Sequence, residues 1–173
     1  MNAIARWTPI VLFAALNTSP ALSDDQAGVA EKEIATFARE LVSAYRAGDI
    51  EKIMSAYVKD DNLVVFDVTP PIQFKGNNAL YKAYADFYGA FPPPVRIDVE
   101  DFHVTVEGNI AYSYEFDTWS ATGTDGKKIS FKARETYIYK KIDGKWLIVH
   151  EHCSVPVDVV TGQADFGPKP QAN

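Results

Sequence analysis

Residues 143–157 read DGKWLIVHEHCSVPV, and the run opens on Asp143-Gly144, a dipeptide that strongly signals a tight hairpin turn. Residues 129–142 upstream read as a long strand, so the two segments are predicted to pair in antiparallel fashion across that turn. Turn length then sets the pairing. A two-residue loop places Glu135 opposite His152, whereas an odd loop with Gly144 as bulge residue places Glu135 with Glu151 and Tyr137 with Val149. A slip of one residue exchanges every face of the strand.

Working towards the N-terminus, the apolar period is two from Val95 onward. Val95, Ile97 and Val99 alternate in one phase and Phe102, Val104 and Val106 in the other, which predicts a bulge or bend near Glu100 and Asp101. EGN turns the chain into a strand with Ile110, Tyr112, Tyr114 and Phe116, and GTDGK turns it again. Before this meander the period is helical. Ile34, Phe37, Ala38, Leu41, Val42 and Tyr45 fall on one face of a helix over 31–47, which Gly48 ends. Asp49 can cap a second helix with Ile50, Ile53, Met54 and Tyr57 on one face. NLVVFDV reads as a strand and TPPIQFKGNN as a loop; Asn77 or Asn78 opens a third helix with Leu80, Tyr81, Tyr84 and Phe87, and GAFPPPV breaks it. Three helices and a strand followed by four long strands predict an α+β domain, helices on one face of a curved, mainly antiparallel sheet.

The 173 residues suffice for one domain with a core, over 31–157. Residues 1–23 combine Arg6, the apolar run WTPIVLFAAL and small residues at Ala21 and Ser23, the pattern of a secretory signal peptide too short to span a bilayer. A periplasmic or secreted protein beginning at Asp24 is expected, with flexible segments at 24–30 and 158–173 and no stable membrane anchor. Removing Arg6 leaves 16 basic against 23 acidic side chains, a net charge of −7, which disfavours nucleic acid as a partner. A single cysteine, Cys153, rules out an intramolecular disulfide and cysteine-rich metal sites.

The element order, with Glu135-Thr136, DGKW at 143–146 and VHEHCS at 149–154, resembles the nuclear transport factor 2-like superfamily, which includes SnoaL-like proteins, ketosteroid isomerase and scytalone dehydratase. The final strand is also similar to that of the association (hub) domain of calcium/calmodulin-dependent protein kinase II, as are AGDIEKI after the first helix and IAY at 110–112. The resemblance implies a cone-shaped (cystatin-like) fold with a pocket between the helices and the concave sheet. Hub pocket arginines correspond to Tyr114, Tyr137 and Cys153 here, which implies a more aromatic, less cationic pocket suited to a small, neutral, mostly apolar ligand. It also favours the odd-loop register, with Glu135, Tyr137, Tyr139, Leu147, Val149, Glu151 and Cys153 towards the pocket. Arg134, Thr136, Ile138, Ile148, His150, His152 and Ser154 then form the opposite face, which the resemblance implies is covered by a second subunit in a homodimer or higher oligomer.

Three functions follow as alternatives: a ligand-binding domain, an isomerase, dehydratase or hydrolase, and an assembly module like the hub. For catalysis, Glu135 and Glu151, if cross-strand neighbours, would repel and raise the pKa of one of them, with Asp67 as a further base and Tyr57, Tyr81, Tyr114 or Tyr137 as hydrogen-bond donors. The bland alternative pairs the two glutamates with Arg134, Lys132 or Lys140 at the rim and leaves the tyrosines as packing. His150 and His152 have alternate-residue spacing, but only His103 could join them and no third ligand is fixed, so no metal is expected. Ser154 lacks a nucleophile elbow, Cys153 reads as a small buried hydrophobe, and no cofactor motif occurs.

Overall fold

The computed structural model describes residues 24–167; the signal-like segment lies outside them. Helix α1 runs over Asp24–Ala47, α2 over Ile50–Ser55 and α3 over Asn77–Ala90. The strands are β1 (Val64–Phe66), β2 (Phe74–Lys75), β3 (Arg96–Glu107), β4 (Ile110–Thr122), β5 (Lys128–Ile142) and β6 (Lys145–Ser154). They form one sheet in the order β2-β1-β6-β5-β4-β3. All neighbours are antiparallel except β1 and β6, which pair in parallel through Val64↔His150, Val65↔Glu151 and Phe66↔His152.

Helix α1 lies against β3, and the apolar faces of the helices meet the sheet in a core that includes Ile34, Leu41, Ile53, Leu80, Ile97 and Ile148. The break in phase along β3 is a bulge between Glu100 and His103, with Asp101 at φ 54°. Asp49 caps α2, its carboxylate accepting from the Lys52 N–H at 3.0 Å. Asp49→Ala is expected to lower stability by about 1 kcal/mol, read as a shift of the urea midpoint.

Several expectations change. Residues 24–30, expected as a separate segment ahead of the domain, are the first turns of α1, which starts at Asp24. The tail is folded through Gly167: Val157 bridges Ala164, and the Lys132 N–H donates to the Phe166 carbonyl at 2.9 Å. The segment read as a loop contains β2.

The final hairpin takes neither expected register. Asp143 and Gly144 both have positive φ, 49° and 78°, so the turn is a two-residue one that pairs Ile142 with Lys145. That pairing holds to Tyr139↔Ile148, then shifts so that Ile138 meets His150 and Val149 becomes an extra, unpaired residue. Beyond the bulge Tyr137 pairs with Glu151 and Glu135 with Cys153. The bulge restores the parity expected of an odd loop, so Glu135, Tyr137, Glu151 and Cys153 share the buried face. Before the bulge the faces are reversed: Ile148 points inward and Leu147 does not.

Candidate functional site

A cavity of about 570 Å³ opens between α1, α3 and the concave sheet. Tyr45, Tyr84, Phe87, Phe91, Trp119 and Phe131 give it aromatic walls, and Phe166 of the folded-back tail adds one more. Its polar wall is acidic. Glu135 and Glu151, only 3% and 7% exposed, project from β5 and β6 diagonally across the strand pair, with Cys153 beside them and Asp67, just past β1, at the rim.

Tyrosines buttress these acids. Tyr57 donates its hydroxyl proton to Glu151 Oε2. Behind it the hydroxyls of Tyr45, Tyr57 and Tyr84 form a triangle with edges of 2.7, 3.0 and 3.1 Å. Burial and the charge of Glu151 raise the pKa of all three, so they remain protonated donors.

Burial also raises the carboxyl groups. Glu151 is pushed up to about 8, chiefly by desolvation, with the Tyr57 hydrogen bond pulling the other way. Glu135 is likewise raised, by desolvation and then by the charge of Glu151, although the Cys153 thiol donates to it. The charge of Glu151 therefore favours the protonated form of Glu135. Desolvation and repulsion from the carboxylates push the Cys153 thiol pKa upward, so it is not a poised nucleophile. Asp67 is raised by desolvation against the hydrogen bond from the Thr69 N–H, yet its residue surface is open to solvent at the mouth. Among the described residues neither Glu135 nor Glu151 has an ion pair; Lys132 pairs instead with Glu100 at 2.9 Å.

A second layer of acids was missed in the sequence. Glu115 lies directly opposite Glu135 on β4, and Asp117 two residues on is 1% exposed. Glu115 is pushed up to about 8 by burial and by Asp117. Asp117 is raised to about 6 by burial, offset by Trp119 and Arg46. Alternation along β4 was legible, but the apolar phase of Tyr112, Tyr114 and Phe116 faces outward, and the polar phase of Ser113, Glu115 and Asp117 faces the core. The signal that could have found Glu115 is its place opposite Glu135, which needs the β4–β5 register.

The remaining predicted residues separate accordingly. Tyr137 is buried on the inner face. Tyr114, 49% exposed, lies on the outer face and stacks on His103 with ring centroids 5.0 Å apart, which corrects its assignment to the pocket. Tyr81, 43% exposed, points away from the cavity, and bulged Val149 does not line it. Arg134, Thr136, His150, His152 and Ser154 share the outer face. His150 faces the Val64 carbonyl at 2.8 Å, and both histidine rings meet Phe66 edge-on.

A SnoaL-like domain family matches residues 34–158, well over half of the chain. The chain belongs to that family. Among solved structures, this SnoaL-like domain is similar to a nuclear transport factor 2-like protein of unknown function from Pseudomonas putida KT2440. The two are 28% identical, with 83% of this chain and 99% of that one covered and a TM-score of 0.73. A nuclear transport factor 2-like superfamily protein from Salmonella enterica is 18% identical over 76% of this chain and 94% of its own, with a TM-score of 0.69. The association domain of C. elegans CaMKII is 19% identical over 76% and 99%, with a TM-score of 0.60. These likenesses establish the cone-shaped α+β fold. No curated protein matches the chain.

Proposed function

We propose that this SnoaL-like domain holds a small, mostly apolar molecule in its aromatic cavity and acts on it by cofactor-independent acid–base chemistry, with Glu151 as the base. The observation that carries this reading is the carboxylate pair in the cavity wall, one member of which is bound by the Tyr57 hydroxyl. A general base is most effective when its pKa lies near the working pH and it is within reach of the substrate. Glu151 meets both conditions. A pocket built only to hold an apolar molecule would have no use for buried acids that cost folding energy.

A generic probe tests this without the natural substrate. Base removal of the ring C–H proton of 5-nitrobenzisoxazole breaks the N–O bond and releases a coloured phenolate. The protein is expected to accelerate this reaction beyond an equal concentration of acetate, with the rate rising through about pH 8 as Glu151 ionises. A rate no higher than that of acetate overturns the reading.

We also propose that the outer sheet face joins two copies, because Tyr112, Tyr114 and Phe116 stand exposed in one row beside Thr136 and Ile138. Tyr114→Glu combined with Phe116→Glu is expected to halve the mass in analytical ultracentrifugation; an unchanged mass refutes this interface. Export with cleavage before Asp24 is proposed from residues 1–23 alone, and the mass of the protein from its own host tests it.

A further inference from the structure

We propose that the molecule held in the cavity is an apolar amine, bound with its ammonium group against the free oxygen of Glu135. This rests on the reading of the cavity as a substrate site and names the substrate class. Glu135 Oε2 is buried with no hydrogen-bond partner, on a side chain that lines the cavity. A buried acceptor without a donor is costly, and a donor arriving with a ligand removes that cost.

The donors the protein could have supplied are already used. The Tyr57 hydroxyl goes to Glu151, and the Cys153 thiol is spent on Glu135. Once ionised, the carboxyl pair presents only acceptors to the cavity, so the complementary ligand is a donor. Charge points the same way: Glu135, Glu151 and Asp67 face the cavity, with Glu115 and Asp117 behind them on β4. From the helix layer Tyr45 of α1, Tyr84 of α3 and Tyr57, two residues past α2, form the hydroxyl triangle beside Glu151, and Arg46 of α1 acts on Asp117. Two cations lie nearby: Arg46 is bound to the Ile97 carbonyl, and Lys128 is an exposed residue of the cavity lining. An ammonium group surrounded by aromatic walls is further favoured by the ring faces of residues such as Trp119 and Phe87.

Binding of a cation favours the ionised acids, so it must expel a proton from the Glu135–Glu151 pair near neutral pH, and affinity must rise from pH 6 to pH 8. Three ligands of one size separate the possibilities: 1-pyrenemethylamine, 1-pyrenemethanol and 1-acetylpyrene, titrated by pyrene fluorescence. The amine is expected to bind about tenfold more tightly than the alcohol at pH 8. Calorimetry in two buffers of different ionisation enthalpy should show proton release for the amine alone. Glu135→Gln should abolish the preference for the amine. If that variant fails to fold, the calorimetric proton release of the native protein decides alone.

Equal affinity for amine and alcohol, tighter binding of the acceptor-only ketone, or no binding of any of the three overturns the inference. If the benzisoxazole reaction is still accelerated, the acid–base reading survives that failure. If it is not, both fall.

Discussion

Glu151→Gln is expected to slow elimination from 5-nitrobenzisoxazole by at least about 100-fold, the lower range of what a positioned general base contributes. Glutamine keeps the shape and still accepts from the Tyr57 hydroxyl, so the tyrosine triangle is preserved. What disappears is a cavity-wall carboxylate that ionises near pH 8. With Glu151 neutral, repulsion on Glu135 falls and its pKa drops. The residual rate of the variant should therefore follow a new ionisation, that of Glu135. A variant with native rate and native pH profile would remove Glu151 from the chemistry.

The second large effect is on stability. Glu115 and Glu151 are each pushed up to about 8 in the folded protein, against 4.5 in an exposed chain. Between those values the folded state holds protons that the unfolded state has lost, so stability falls as pH rises through this window. Each such group contributes a slope of up to about 1.4 kcal/mol per pH unit. Asp117, raised to about 6, adds to the lower half of the window. Glu33 is held low by Lys141 and Trp146 and works in the opposite sense, but it is exposed and its effect is small. The melting temperature is thus expected to drop by about 10 °C or more between pH 5 and pH 8. Glu115→Gln should flatten the decline and raise stability at pH 8. A melting temperature that climbs over the same range would mean that these acids are ionised and paired in the native state.

Much of the fold was legible because helix and strand periods, turn dipeptides and proline runs are local signals. The β3 bulge was visible as a change of apolar phase between Val99 and Phe102. The site was legible only in part. Glu135, Glu151 and Asp67 were singled out, and the structure brings them to one cavity. The route by which the two glutamates come to share a face was not foreseen, since a two-residue turn and a bulge at Val149 together give the parity that a longer loop would have given. Glu115 and Asp117 escaped notice because β4 inverts the usual rule, presenting aromatics outward and acids inward. Phe166 was hidden in a segment whose composition suggests fraying, and its contribution to the wall depends on a distant backbone contact with Lys132.

Pairing of β1 with β6 joins positions 86 residues apart through a strand only three residues long. A contact so distant in sequence carries a large loop-closure cost and tends to form late, after the β4–β5–β6 meander has assembled. Asp67 follows that strand directly, so the last part of the chain to dock also delivers the last acid to the cavity. In native-state hydrogen exchange the amides of residues 64–66 should accordingly open ahead of those in β4 and β5. Fraying of β1 would widen the mouth beside Glu151 while the rest of the sheet stays closed, so the enclosure of the acid pair depends on three residues at the mouth.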